Sequence, residues 1–198
     1  LSGKVIHMPI EQSQNRTPLS VLACQIEIPA TLSAADRDAH VAALCGRLEQ
    51  VLAGKIIDLV VLPELSTIDY SREAFAQLDE LAEDIDGPSG QAFAGLAKRC
   101  NVAVLFGFAR RTVGGFRIAQ GLAAPDGSLT TYFDKIHMAQ FGASMEKEYF
   151  ERGERLCVFE LKGYRLAPMI CYDIRVPEMA RSLAVDHGVD AILHCGAY

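Results

Sequence analysis

From residue 19 to residue 28 the chain alternates, with Val21, Ala23, Gln25 and Glu27 on one side and Leu22, Cys24, Ile26 and Ile28 on the other. A period of two predicts a strand. Ser33 then opens a helix with Asp36 in its first turn, a stripe of Val41, Leu44, Leu48, Val51 and Leu52, and Gly54 as its stop. Residues 58–62 form a short continuous apolar strand ended by Pro63. Two helical patterns follow. Ser71 heads the first, which carries Phe75, Leu78, Leu81 and Ile85; Gly87-Pro88-Ser89-Gly90 leads into the second, with Phe93, Leu96 and Ala97. Residues 102–109 predict a buried strand, and 116–123 and 128–133 two more around the turn Pro125-Asp126-Gly127. Residues 156–161 and 164–170 predict a hairpin across Lys162-Gly163, 177–185 a helix, and 189–194 a last strand.

The order is βαβ, two helices, a β-rich middle, then β, helix and β. That mixture suits sheets covered on one face by helices and on the other by a second sheet. There is no internal repeat and no low-complexity linker. Residues 1–18 are polar and aperiodic, so they are expected to form a leader or flexible arm, leaving 19–198 as the folded domain.

Half of the 198 residues are hydrophobic, enough to bury a sizeable core in one domain. The net charge of −6 comes without basic clusters, which argues against nucleic acid or an anionic membrane as partner. No apolar run approaches the ~20 residues of a membrane span, and the first residues lack the apolar core of a secretory signal. None of the six cysteines stand three apart, so no CxxC redox pair or zinc-knuckle spacing arises. These features together predict a reducing, cytoplasmic setting. No P-loop, dinucleotide fingerprint or metal-ligand spacing appears, so neither cofactor nor metal is expected.

Candidate chemistry sits at three strand ends. An apolar lead-in over 164–170 delivers Cys171 to a polar turn, and Pro177 then permits a new helix. A nucleophile needs that placement, rigid yet exposed, and cysteine suits acyl chemistry because a few per cent is thiolate at neutral pH. Glu64 follows Val60-Val61-Leu62-Pro63, and Lys135 follows Tyr132-Phe133-Asp134. With ordinary pKa values, transfer of the thiol proton to a glutamate is uphill by roughly 6 kcal/mol. Burial of Glu64 and the Lys135 cation beside the thiolate would close that gap, giving an acyl-transfer site without histidine. A papain-type site would need a histidine base, and His137, His187 and His194 carry no supporting pattern.

The segments Val61-Leu62-Pro63-Glu64-Leu65, Phe133-Asp134-Lys135-Ile136-His137 and Ile170-Cys171-Tyr172-Asp173-Ile174-Arg175-Val176-Pro177-Glu178 resemble, in order, the Glu, Lys and Cys signatures of the nitrilase superfamily of carbon–nitrogen hydrolases. The resemblance runs from about Val21 to the end. It implies an α+β fold, a four-layer α-β-β-α sandwich that continues past Tyr198, so that the C-terminal part is expected to be missing here. It further implies a homodimer or larger homo-oligomer formed through the helical face around the cysteine.

The resemblance also implies roles. Cys171 would attack an amide or nitrile carbon to give a thioester or thioimidate. Glu64 would carry protons, and Lys135 with the backbone N–H of Tyr172 would hold the oxyanion. Within Glu146-Lys147-Glu148-Tyr149-Phe150-Glu151-Arg152-Gly153, Glu146 matches the second glutamate that positions substrate and lysine, with Glu148 as the alternative; on composition alone this is a charged, solvated loop. Two positions depart from the pattern: Val176 stands where phenylalanine is common, and Cys195 where proline often follows the last strand.

The wording around Cys171 is most similar to amidases acting on small linear amides, the omega-amidase and N-carbamoyl branches. A true nitrilase typically has tryptophan after the nucleophile, and this chain has none. Arg175 and Arg181 are expected to form structural ion pairs with Asp173 or Glu178, and substrate selection to fall to loops at 110–117 and 138–145. The competing reading is an inactive fragment or non-catalytic relative that binds a partner.

Overall fold

A computed structural model describes residues 16–139 and 144–197. The expected arm at 1–18 therefore lies almost wholly outside the described residues, as does the middle of the 138–145 loop. Strands β1 (Val21–Ala23), β2 (Leu59–Val61), β3 (Ala103–Thr112), β4 (Gly115–Ala123) and β5 (Leu129–Asp134) form one sheet in sequential order. β1, β2 and β3 run parallel; β4 and β5 add on antiparallel. The second sheet holds β6 (Phe159–Leu161), β7 (Tyr164–Ile170) and β8 (Ala191–Cys195), with β7 antiparallel to β6 and parallel to β8.

Parallel strands need crossovers, and the helices supply them. Helix α1 (Ala34–Leu52) links β1 to β2, and α2 (Arg72–Phe75), α3 (Leu78–Leu81) and α4 (Pro88–Cys100) link β2 to β3. The Ser33 hydroxyl caps α1 by accepting from the Asp36 N–H, an interaction that contributes about 1 kcal/mol. Glu83 accepts from the Ser89 N–H at the start of α4, at 2.9 Å.

Side-chain alternation explains why the central strands read as unbroken apolar runs. Val60, Leu62, Val104 and Phe106 face α1 and α4, packing with Val41, Leu44, Leu48, Phe93 and Leu96. Leu59, Ala103 and Leu105 point the other way, onto Leu166 and Cys195 of the second sheet. On the far face of that sheet, Ala167 and Met169 meet Met179 of α6 (Pro177–Arg181) and Leu183. The layers are thus α, β, β and α.

Several boundaries differ from the expectation. Strand pairing over 19–28 stops at Ala23, with one further bond from Cys24 N to Val61 O (2.9 Å). Val51 is exposed, and the buried stripe of α1 runs through His40, Val41, Leu44, Cys45, Leu48 and Leu52. The helix predicted from Ser71 breaks at Ala76–Gln77 into α2 and α3. Ile85 lies beyond both, past a bridge pairing Glu83 with Arg110. Of residues 156–161, only Phe159–Leu161 pair as strand. The six cysteines are all thiols.

Candidate active site

Four elements deliver the site. Beyond β2 the chain turns at Pro63, Glu64 and Leu65, and Leu65 takes a left-handed φ of 49°. β3 clamps this turn. Ser66 Oγ donates to Gly107 O and accepts from Gly107 N, both at 3.0 Å, and Gln120 Nε2 donates to Pro63 O at 3.3 Å. Gly107 is required there, since a Cβ would lie 2.3 Å from Pro63 O and 2.5 Å from Leu65 N. Gly107→Ala is expected to cost about 3 kcal/mol in denaturant unfolding, because its neighbours are backbone that cannot step aside. Any activity should fall with it as Glu64 is displaced.

Lys135 follows the last residue of β5. Its N–H donates to Ile118 O at 2.8 Å, and its carbonyl accepts from Gly153 N at 2.7 Å. The side chain runs inward, and Nζ donates to Glu64 Oε1 and Glu146 Oε1, each at 2.7 Å. All three residues are 0% exposed. Glu146 heads the short helix α5 (Glu146–Tyr149), so the segment that reads as a charged loop buries its first acid. Its Oε2 accepts from Ala139 N and its Oε1 from Tyr70 OH, both at 2.8 Å. Glu148, the alternative, is exposed and pairs with Arg72 at 2.8 Å.

Cys171 begins a 3-10 turn, Cys171–Arg175, directly after β7, with Tyr172 second in it. Its φ of 45° is left-handed, a conformation that costs a non-glycine residue about 1–2 kcal/mol and persists only where the surroundings fix it. Two groups fix it. His194 on β8 donates from Nε2 to Cys171 O at 2.9 Å. Fully buried Asp173 accepts from Ile170 N at 3.1 Å, His137 N at 2.8 Å and His137 Nδ1 at 2.9 Å. Asp173 therefore ties the cysteine turn to the segment after Lys135. It does not pair with Arg175, which like Arg181 is exposed and in no ion pair among the described residues.

The Cys171 thiol lies within the electrostatic reach of Glu64, Lys135 and Glu146. Burial first, then the Glu64 charge, push the thiol up to about 11, and Lys135 offsets them only in part. A shift in that direction favours the thiol over the thiolate at neutral pH. Burial likewise raises Glu64 above the usual carboxylate range against the pull of Lys135. Lys135 is held above its ordinary value; burial opposes this, but the two glutamates outweigh it. Alkylation of Cys171 by iodoacetamide should accordingly climb about tenfold per pH unit from pH ~7 to ~10 without levelling off. Peptide mapping separates it from Cys45 and Cys195, which burial raises to about 11 and about 12.

Beside Glu64 opens a cleft of about 750 Å³, walled by residues 23–28, 61–64, Asp69, Tyr70 and 194–197. Ala197 N reaches Glu64 Oε2 at 3.2 Å across its floor. The structure thus brings Glu64, Lys135, Glu146 and Cys171 together, with Tyr172 adjacent. Tyr70, Asp173 and His194 join them; from sequence Asp173 is expected only as an arginine's ion-pair partner, His194 only as a histidine without supporting pattern, and Tyr70 not at all. Asp173 lies inside the quoted cysteine motif, whereas Tyr70 and His194 carried no local signal. Among the described residues no helix is long and apolar enough to cross a membrane, and no group of three His, Cys, Asp or Glu could hold a metal ion.

A four-layer α-β-β-α sandwich in which a thiol, a carboxylate and a lysine from strand ends meet a second carboxylate from a short helix defines a class of fold and site. The family model described as carbon-nitrogen hydrolase matches residues 21–197. The chain belongs to the carbon-nitrogen hydrolase family. It is 37% identical over 161 residues to the hydrolase in the pqqF 5' region of Pseudomonas protegens, covering 79% of this chain and 54% of that one. It is 36% identical over 129 residues to the 2-oxoglutaramate amidase of Bacillus subtilis, covering 64% and 48%. The chain thus spans about half the length of these relatives. A CN-hydrolase superfamily protein from Xanthomonas campestris superposes with a TM-score of 0.70 at 31% identity, over 86% of this chain and 62% of that one.

Proposed function

We propose that the chain hydrolyses a non-peptide carbon–nitrogen bond in a small linear amide, an ω-amide or an N-carbamoyl compound, and releases ammonia. One observation carries this reading. A fully buried lysine is held at 2.7 Å by two glutamates, and the charges of all three act on the thiol of a cysteine in a strained strand-end turn. Similarity to a 2-oxoglutaramate amidase supports the amide branch.

In this mechanism Cys171 Sγ attacks the amide carbon as Glu64 takes its proton. A thiolate never accumulates, in keeping with a thiol at about 11. Lys135, with the Tyr172 N–H, stabilises the oxyanion of the tetrahedral intermediate. The carbon–nitrogen bond then breaks, Glu64 returns the proton to the departing nitrogen, and ammonia leaves a thioester on Cys171. Water, deprotonated by Glu64, attacks the thioester carbon; the carbon–sulfur bond breaks, the thiol regains a proton and the acid departs. Glu146 positions Lys135. No cofactor or metal enters this scheme. Residues 19–198 would form the hydrolase unit, and exposed Ile174 and Val185 beside the cysteine turn suit a homo-oligomeric contact.

The test is ammonia release from ω-amides, N-carbamoyl amino acids and aliphatic nitriles, after a melting curve shows cooperative folding. Release from one of the two amide classes, with nitriles inert, is the expected result. Release from nitriles alone would move the chain to the nitrilase branch, and none from a folded chain would leave a binding module.

A further inference from the structure

A second cavity, of about 510 Å³, lies away from the cysteine, between β5 and residues 154–158. Its polar wall is unusual. Arg110 on β3 and Arg117 on β4 are direct cross-strand partners, and like charges placed opposite each other destabilise a sheet. Asp134 of β5 relieves this in part. It accepts from Arg110 Nε at 2.7 Å and Nη2 at 2.6 Å, and from Arg117 Nη1 at 3.0 Å. Arg110 is thereby used up, forked on the carboxylate and stacked 4.3 Å from the Tyr132 ring.

Arg117 is not. Apart from that one bond its guanidinium has no partner among the described residues, which leaves its remaining Nη donors unused. Arg155, on the opposite wall, is exposed and in no ion pair among the described residues, with Glu154 beside it. Three guanidiniums thus face two carboxylates in a protein whose net charge is −6. The excess of guanidinium over carboxylate on this wall, with Arg117 Nη donors left over from the single bond to Asp134, suits an anionic acceptor. Leu129, Leu156 and Val158 give the same cavity an apolar side.

We infer that this cavity binds a small oxyanion, a carboxylate or phosphate group held by Arg117 and Arg155, with any organic part against Leu129 and Leu156. Guanidinium forks match the paired oxygens of both groups. The site is independent of the hydrolase reading, because it uses none of Glu64, Lys135, Glu146 or Cys171.

Titration of the folded chain with inorganic phosphate and, separately, with hexanoate tests it, followed by calorimetry and amide chemical shifts. Saturable binding with a Kd of a few mM or below is expected for at least one probe. Phosphate alone binding would indicate a phosphorylated ligand, and hexanoate binding more tightly would indicate a carboxylate with an apolar tail. Arg117→Gln and Arg155→Gln should each weaken binding about tenfold or more, while Lys55→Gln, in the loop past the end of α1 and outside the cavity lining, should not. Arg155 carries no ion pair among the described residues, so its variant keeps the fold and the test holds even if Arg117→Gln melts early. Absence of saturation up to about 20 mM, or binding indifferent to both arginine variants, would overturn the site.

Discussion

Replacing Lys135 with methionine is expected to destabilise the fold by about 3–5 kcal/mol, the cost of leaving buried charge without its partner. Out of the roughly 5–15 kcal/mol that hold a domain together, the loss is large. Glu64 and Glu146 both lie within 2.7 Å of Nζ and neither touches solvent, so methionine fills the volume and strands two carboxylates. The deficit should depend on pH in a definite direction. Burial already raises Glu64 with the lysine present, and without it the folded-state value rises further above the unfolded one. A group raised in that way contributes its stability below the unfolded pKa and loses it as pH climbs through the folded pKa. The variant should therefore melt nearest to wild type at about pH 5 and fall progressively behind toward about pH 8. A gap that stays constant across this range would mean that the carboxylates are not the source of the loss.

Glu64→Gln should separate turnover from thiol reactivity. The amide preserves the shape and can still accept from Lys135, but it cannot take a proton, so kcat/KM for amide hydrolysis should drop by about 10³-fold or more. The thiol should respond in the opposite direction. Of the influences on Cys171, the Glu64 charge raises its pKa and Lys135 lowers it. Without the Glu64 charge, the lysine has only burial and the weaker Glu146 charge against it. The thiol then falls from about 11, and alkylation at a fixed pH near 8 speeds up about tenfold for each unit of the fall. Activity down and alkylation up is a pairing that mere misfolding does not produce. A parallel decline of both would show that Glu64 supports the cysteine turn and is not its base.

What could be read in the sequence follows the range of the interactions concerned. Ser33 and Ser71 announce helix starts because a cap bonds three residues away, and Pro125-Asp126-Gly127 closes a turn through its own Ser128. The alternation over 19–28 records which way side chains face and says nothing about pairing, so it overran the three residues that find a partner strand. A similar limit applied to the helix from Ser71. Phe75, Leu78 and Leu81 are buried as the periodicity demands, and burial does not distinguish one helix from two short ones. Glu64, Lys135 and Cys171 were visible only as three signatures in order; nothing local brings together residues 71 positions apart. Tyr70 bonds Glu146 across 76 positions and His194 bonds Cys171 across 23, each through an ordinary polar residue in an ordinary segment. Their contributions appear only once the sheets are assembled. The raised thiol, too, is a property of the assembled site, where burial and the Glu64 carboxylate outweigh the lysine.

All of the proposed chemistry turns on Cys171 as the nucleophile. The most direct measurement compares ammonia release by the wild-type chain and by Cys171→Ala on the best amide found, with melting curves showing both folded. Alanine keeps the backbone of the 3-10 turn and removes only the sulfur. Steady release by wild type and a fall of about 10⁴-fold or more in the variant are expected. Release that persists in folded Cys171→Ala would contradict Cys171 as the nucleophile.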